Sequence, residues 1–245
     1  MSFITPEAFL NGIQVELAQA REHRRRTGRP FCTLAYAQSL DGCIARRPMG
    51  PMSLSGPEAM ALTHQLRSWH DAILVGIRTV IADNPRLSVR LVRGQSPQPV
   101  VLDSQLRMPP ECHLLTNGNR KPWIATSLEG RPVRQRDLES RGAKVLHLPT
   151  DRQGWVALEP LLEKMGQMRI DSLMVEGGAR VLTSFMRARL VDQVVITLAP
   201  VIVGGVHAFL RLSPGPAPLP HLREVRYAEL GRDLMVWGQP LWGEA

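Results

Sequence analysis

From Phe31 onward the chain alternates short apolar runs with segments of helical periodicity, and that alternation restricts its fold more than any other feature. Phe31–Ala37, Asp71–Gly76, Pro99–Asp103, Pro122–Thr126, Lys144–Leu148, Ile170–Val175 and Gln193–Leu198 have the length and apolar content of strands. Leu234–Gly238 reads as a last one. Helical patterns fall between them, through Met60, Leu62, Leu66 and Trp69, over Leu158–Met168 and over Ala179–Arg189. The first of these opens at Ser55-Gly56-Pro57-Glu58, where Ser55 as N-cap and Glu58 three residues on form a capping box with Pro57 in the first turn. Strands apolar throughout must be covered on both sides. The expected fold is therefore α/β, with a mainly parallel central sheet and helices on both faces. No internal repeat interrupts the pattern, and Pro214–Pro220 reads as a surface connector.

Residues 5–26 predict one amphipathic helix, with Ile13, Leu17 and Ala20 on its apolar side and Gly28-Arg29-Pro30 as its stop. Residues 1–30 are thus a helical extension ahead of a single domain over 31–245. The formal net charge of +8 draws in anions, and three partners fit: nucleic acid, an acidic membrane surface or a phosphorylated small molecule. Part of that charge sits in Arg21–Arg29, which reads either as a nucleic-acid arm or as a solvated helix end whose cations suit the dipole. No aromatic platform accompanies the run, which favours the helix end. Ala72–Ile77 and Val194–Val203 are too short or interrupted to span a bilayer, so no membrane partner is expected. The three cysteines, Cys32, Cys43 and Cys112, are odd in number and widely spaced, and no leader precedes the helix; together these point to a reducing cytoplasm.

Chemistry concentrates in three places. In Leu173-Met174-Val175-Glu176-Gly177-Gly178-Ala179-Arg180 an apolar strand runs into glycines and then directly into a helix. Such a junction lets a phosphate approach bare N–H groups, although Gly-Gly is also ordinary tight-turn chemistry. Its spacing matches neither GxGxxG nor a GxxxxGK[ST] P-loop. A second pair, Gly204-Gly205, reads as a strand-to-loop turn. In Thr79–Arg90 the Asp83-Asn84-Pro85 turn brings a hydroxyl, a carboxylate and the Arg90 guanidinium near one another, and Arg67 lies at the end of the preceding helix. No GxSxG, HExxH or paired CxxC is present, so no metal site is expected, and the seven histidines are scattered; His64 reads as a surface or packing residue.

Four pieces in this order, Ala37-Gln38-Ser39-Leu40-Asp41-Gly42-Cys43-Ile44-Ala45, Leu66-Arg67 with Asp71–Gly76, Thr79 through Asp83-Asn84-Pro85-Arg86-Leu87 to Arg90, and Val175–Gly178 through Leu190-Val191-Asp192 to Gly204-Gly205, resemble the pyrimidine reductases of riboflavin biosynthesis. The resemblance runs from about Phe31 to Gly238 and implies a dihydrofolate-reductase-like fold and homodimerisation. It implies NADPH as cofactor, with Gly177, Gly178, Ala179, Arg180, Val181, Leu182 and Ser184 at its pyrophosphate and Thr79, Asp83 and Ser104 also facing it. It assigns the phosphorylated substrate to Arg67, Leu87, Arg90 and Glu176. The implied reaction opens the ribosylamino ring to an imine and reduces it at C1′ to the ribitylamino compound, with Asp83 and Glu176 as the carboxylates to suspect for the proton. Many members carry a deaminase domain ahead of the reductase; here deamination is expected of another protein. The segment Pro48–Ser53 is poor in hydrogen-bond donors where relatives offer polar and aromatic groups, which leaves open a reductase acting on another heterocycle. A non-enzymatic nucleic-acid binder is the remaining alternative, carried by charge alone. For the cofactor's 2′-phosphate, Thr126-Ser127 is the weak candidate visible in the sequence.

Overall fold

The computed structural model describes residues 3–46, 52–117, 120–127, 131–210 and 220–243. Two helices come first, α1 (Pro6–Ala18) and α2 (Ala20–Thr27). The single helix expected over 5–26 is divided at Gln19, whose N–H turns back to the Glu16 carbonyl. Thr5 caps α1 through its hydroxyl, which accepts from the Ala8 N–H. Gly28 ends α2 in the left-handed conformation expected of a helix-terminating glycine.

The alternation then unfolds as β1 (Phe31–Ser39), β2 (Cys43–Ala45), α3 (Pro57–Trp69), β3 (Ala72–Gly76), α4 (Ile77–Asp83), β4 (Gln98–Leu102), α5 (His113–Thr116), β5 (Trp123–Ser127) and α6 (Pro132–Ser140). It continues with β6 (Lys144–Leu148), α7 (Leu158–Gln167), β7 (Ser172–Gly177), α8 (Ala179–Arg187), β8 (Gln193–Ala199), β9 (Val206–His207), β10 (His221–Leu230) and β11 (Asp233–Leu241). Nine strands form one sheet in the order β10-β11-β8-β1-β7-β3-β4-β5-β6. From β8 to β6 every neighbour is parallel; β11 and β10 add an antiparallel hairpin at one edge. The mainly parallel α/β architecture is as the apolar runs predict.

Side chains alternate across the sheet, which divides the core. Leu34, Leu74 and Val175 face α7 and α8, packing with Leu161, Leu162, Met165 and Phe185. Ile73 and Val75 face α4, α5 and α6 through Val80, Leu114, Leu115 and Leu138. Ala35 and Met174 meet Leu62 and Leu66 of α3 and Phe9 and Ile13 of α1. The segment before β1 therefore contributes to the same core as the sheet. Each such large apolar side chain stabilises the fold by about 1.5–3 kcal/mol relative to exposure.

Three local expectations change. The N-cap of α3 is Gly56, not Ser55: Asp233, the first residue of β11, accepts from the Gly56 N–H at 2.6 Å, so a distant carboxylate replaces the capping box. Thr79–Asp83 belongs to α4, with the turn delayed to Asn84 in the left-handed region just before Pro85. The strand β10 escapes the apolar pattern because it is an edge strand, rich in exposed charged side chains. The Gly204-Gly205 turn does pack closely: a Cβ on Gly205 would stand 2.0 Å from the Ala45 carbonyl oxygen. Asp41 holds that turn by accepting from the Val203 and Gly204 N–H groups. Of Pro214–Pro220, all but the last residue lies outside the described residues. Among the described residues, no helix is long and apolar enough to cross a membrane.

Candidate active site

Because the parallel strands all point the same way, the segments leaving them converge at their carboxyl ends. There, beyond β1, β3, β4 and β7, lies a cavity of about 1370 Å³. It is built first from the junction of β7 and α8. Gly177 and Gly178 both have positive φ, 93° and 84°, and Gly178 is the N-cap of α8 with no side chain to satisfy the first-turn amides. A Cβ on Gly178 would come within 2.9 Å of the Thr79 hydroxyl oxygen. Thr79 itself donates to the Gly177 carbonyl at 3.2 Å, fastening α4 to the glycine turn. The result is a backbone cradle at a helix N-terminus, chemistry that fits the phosphates of a dinucleotide.

Facing the same cavity, Arg67 from the last turn of α3 meets Glu176 at the end of β7. The pair is bidentate, Nε to Oε1 at 2.6 Å and Nη2 to Oε2 at 2.7 Å, and a third donation reaches the Ser88 carbonyl at 3.2 Å. Burial opposes the charge on Arg67, but Glu176 outweighs it and raises the guanidinium pKa. His64, one turn earlier, is fully buried and not a surface residue; its Nδ1 accepts from the Arg90 N–H at 2.8 Å. Burial, with Arg67 and Arg90 close by, lowers its pKa to about 4.

Asp83, the last residue of α4, also lines the cavity, and burial raises its pKa. Ser104 follows β4, and its Oγ accepts from the Val156 N–H at 3.0 Å, drawing the turn 151–157 over the cavity. Ala179, Arg180, Val181 and Ser184 complete the α8 wall. The structure thus brings Arg67, Thr79, Asp83, Ser104, Glu176, Gly177, Gly178, Ala179, Arg180, Val181 and Ser184 together.

Three expected site residues fall elsewhere. Leu182 is wholly buried and packs with Phe185 in the core under the helix. The Leu87 side chain is buried at a positive φ of 50°. Arg90 lines a separate pocket of about 220 Å³ with Arg86 and Arg120, because His64 fixes its backbone on that side. Thr126 and Ser127 do not reach the cavity either; both hydroxyls donate to the Ser104 carbonyl. Met52 and Ser53 line the cavity, while Pro48–Pro51 lie outside the described residues. No cluster of three or more His, Cys, Asp or Glu able to hold a metal occurs among the described residues.

Residues 30–236 match the RibD C-terminal domain. The chain belongs to that family. The riboflavin biosynthesis protein RibD of Bacillus amyloliquefaciens is 35% identical over 235 residues, covering 94% of this chain and 62% of that protein. The 2,5-diamino-6-ribosylamino-4(3H)-pyrimidinone 5′-phosphate reductase of Methanothermobacter thermautotrophicus is 42% identical over 180 residues, 72% of this chain and 81% of that protein. The chain therefore spans less than two thirds of the RibD relative and most of the shorter reductase. Among solved structures, the Saccharomyces cerevisiae riboflavin biosynthesis reductase Rib7 aligns with a TM-score of 0.69 at 27% identity, over 88% of this chain and 91% of that one. Acinetobacter baumannii RibD shares the fold with a TM-score of 0.79 at 24% identity, over 92% of this chain and 62% of that one.

In this RibD C-terminal domain the cavity also takes in residues that carried no signal in the sequence: Tyr36, Arg107, Arg152 and Trp155. Trp155 is the most informative of them, since the Arg180 guanidinium lies 4.4 Å from its ring centroid. A lone aromatic in Gln153-Gly154-Trp155 has no periodicity to mark it, and the Ser104–Val156 contact helps hold its turn at the site.

Proposed function

We propose that this chain is an NADPH-dependent reductase that converts a 5-phosphoribosylamino-pyrimidine into the ribitylamino-pyrimidine phosphate in riboflavin biosynthesis. The observation that carries the reading is the meeting in one cavity of an anion-binding backbone cradle, Gly177-Gly178 at the start of α8, with the Arg67–Glu176 ion pair. Family membership and the names of the relatives supply the reaction class. NADPH bound at the cradle supplies the hydride.

The chain's own residues do the rest. Gly177, Gly178 and the first turn of α8 hold the pyrophosphate, with Thr79 setting the width of the cradle. Arg67 meets the substrate's anionic side; Glu176, with both oxygens engaged by Arg67, keeps that guanidinium aimed. Asp83 is the proton donor in this reading, its raised pKa favouring the protonated form, and the 151–157 turn limits water. The cytoplasm is its compartment, supported by three buried free thiols. A homodimer belongs to the same reading; β10 lies at an edge of the sheet, where Tyr227 is already bridged by Phe3 and accepts from the Ile4 N–H.

The deciding measurement follows loss of NADPH absorbance with the deaminated ribosylamino-pyrimidine phosphate and with its undeaminated form. Turnover of one of them is expected and would show whether reduction precedes or follows deamination. Binding of NADPH without reduction of either would overturn the substrate assignment in favour of another heterocycle.

A further inference from the structure

Neither Ser39-Leu40-Asp41-Gly42 after β1 nor the Gly204-Gly205 turn after β8 lines the cavity, yet the two segments are fastened to each other. The side chain at their junction is Asp41. Its Oδ1 accepts from the Ser39 hydroxyl and from the Val203 N–H at 3.0 Å, and its Oδ2 accepts from the Gly204 N–H at 2.7 Å. The Cys43 thiol continues the row: Sγ accepts from the Gly205 N–H at 3.1 Å and donates to Asp41 Oδ2 at 3.4 Å. Three consecutive amides of one loop thus end on two side chains of the other. The Ser39 hydroxyl and the two amides hold the Asp41 carboxyl well below the usual carboxylate range, so the acceptor stays charged.

Burial does little to place these loops. Leu40 and Ile202 at their tips are 64% and 80% exposed, and β9 is a strand of two residues, Val206–His207. Backbone bonds from Leu40 to the Val201 carbonyl and from Ala208 to the Gly42 carbonyl flank the clasp. Between them the chain is drawn in so far that only a glycine fits at 205, against the Ala45 carbonyl. What is drawn in is a wall of the cavity. Ile44, Ala45 and Val206 line it beside Ala35 and Ala37 of β1 and Val195 of β8. This side is mainly apolar, whereas Arg107, Asp151 and Arg152 line the cavity beyond β4. Transfer of a hydride between two carbons needs them in contact with water excluded, which favours the apolar side.

We propose that Asp41 and Cys43 are positioning residues for the reduction: by holding the amides of Val203, Gly204 and Gly205 they set how closely Ile44, Ala45 and Val206 press on the reacting groups. The inference rests on the reductase reading above and extends it to side chains that touch no reactant and act through the wall. A displacement of about 1 Å at the reacting atoms can cost about 10²-fold in rate, so a clasp outside the cavity is felt in kcat.

The test combines steady-state kinetics of the full chain on the two pyrimidine phosphates, calorimetric titration with NADPH and amide hydrogen exchange. Asp41→Ala is expected to lower kcat at least about tenfold while the KM for substrate and the Kd for NADPH stay within about twofold. Exchange at Val203, Gly204 and Gly205 should quicken, with β1 and β7 unchanged. Asp41→Asn keeps one acceptor oxygen and should recover part of kcat. Cys43→Ser keeps an acceptor for the Gly205 N–H and should match the unaltered protein, whereas Cys43→Ala should follow Asp41→Ala. If Asp41→Ala does not fold, the two Cys43 variants decide. An unchanged kcat despite faster exchange would overturn the positioning role, as would equal kcat in Cys43→Ser and Cys43→Ala. So would a fall in kcat matched by equal losses in KM and Kd, the mark of a general collapse. If the unaltered protein reduces neither pyrimidine, the reductase reading itself fails, and the positioning role with it.

Discussion

The two ends of the sheet use the same residue types for opposite purposes. At the amino end, charge is consumed in holding strands together. Arg29, just before β1, gives two hydrogen bonds to Asp192, just before β8, and the same carboxylate accepts from the Cys32 N–H at 2.7 Å. Arg24 of α2 pairs with Asp171 ahead of β7. Asp71, ahead of β3, accepts from the N–H groups of Asp171 and Ser172. At the carboxyl end the arginines face a cavity, and backbone amides are left bare beside two glycines. The contrast teaches that a run of cations in a sequence need not be a binding patch. Within the densest basic segment, Arg21–Arg29, it is Arg24 and Arg29 that buttress the fold, whereas the arginines of the cavity come from separated places in the chain.

If the amino end is buttress and the carboxyl end is site, substitutions at the two ends must fail in different ways. The largest effect is expected for Asp192→Ala, which leaves the Arg29 guanidinium partly buried without its partner and frees the Cys32 amide. Urea unfolding should show a loss of about 3–5 kcal/mol, with cofactor affinity of the folded fraction unchanged. A loss below about 1 kcal/mol would contradict the buttress role. Gly178→Val should do the reverse. Its φ of 84° and the nearby Thr79 hydroxyl make a side chain costly, by about 1–3 kcal/mol in stability, but the main consequence is NADPH affinity reduced more than about tenfold. Unchanged titration with NADPH would refute the cradle.

The smallest effect concerns His70, which links the buried polar chain beneath the sheet. Its Nδ1 donates to the Leu66 carbonyl at 2.7 Å, and its Nε2 accepts from the Thr33 hydroxyl at 2.8 Å. Gln193 donates to that same hydroxyl and accepts from the Trp237 indole. Burial lowers the His70 pKa to about 4 from an unfolded value of 6.5. The unfolded chain therefore takes up a proton that the folded chain refuses, so stability falls as pH drops below 6.5 and levels off near 4. His70 should account for about 2 kcal/mol of the stability lost between about pH 7 and pH 5, and His70→Gln should flatten that part of the profile. An equal slope in the variant would show that other groups carry it.

Much of the molecule was legible before any coordinates, and the legible parts share a property. Strands β3, β4, β7 and β8 are near-continuous apolar runs because both faces of a parallel sheet are covered, and such runs stand out in sequence. The Glu176-Gly177-Gly178 junction was legible because strand, glycines and helix follow one another without a gap. The edge strand β10 was not, since a half-exposed edge keeps its charges and loses the apolar signature. Nor was the cap of α3, which depends on Asp233, or the placement of Arg90, which depends on where His64 is buried.

The sequence by itself determined the order of the main strands of the sheet and of helices α3, α7 and α8, the parallel sheet, the glycine turn before α8 and the family, because each is written in neighbouring residues through periodicity and turn chemistry. The tertiary structure alone decided which side chains share a cavity. It joined Arg67 to Glu176, moved Leu87 and Leu182 into the core, and set Trp155 under Arg180. Those outcomes depend on contacts between residues far apart in the chain, and on which strand ends lie side by side; local pattern carries no record of either.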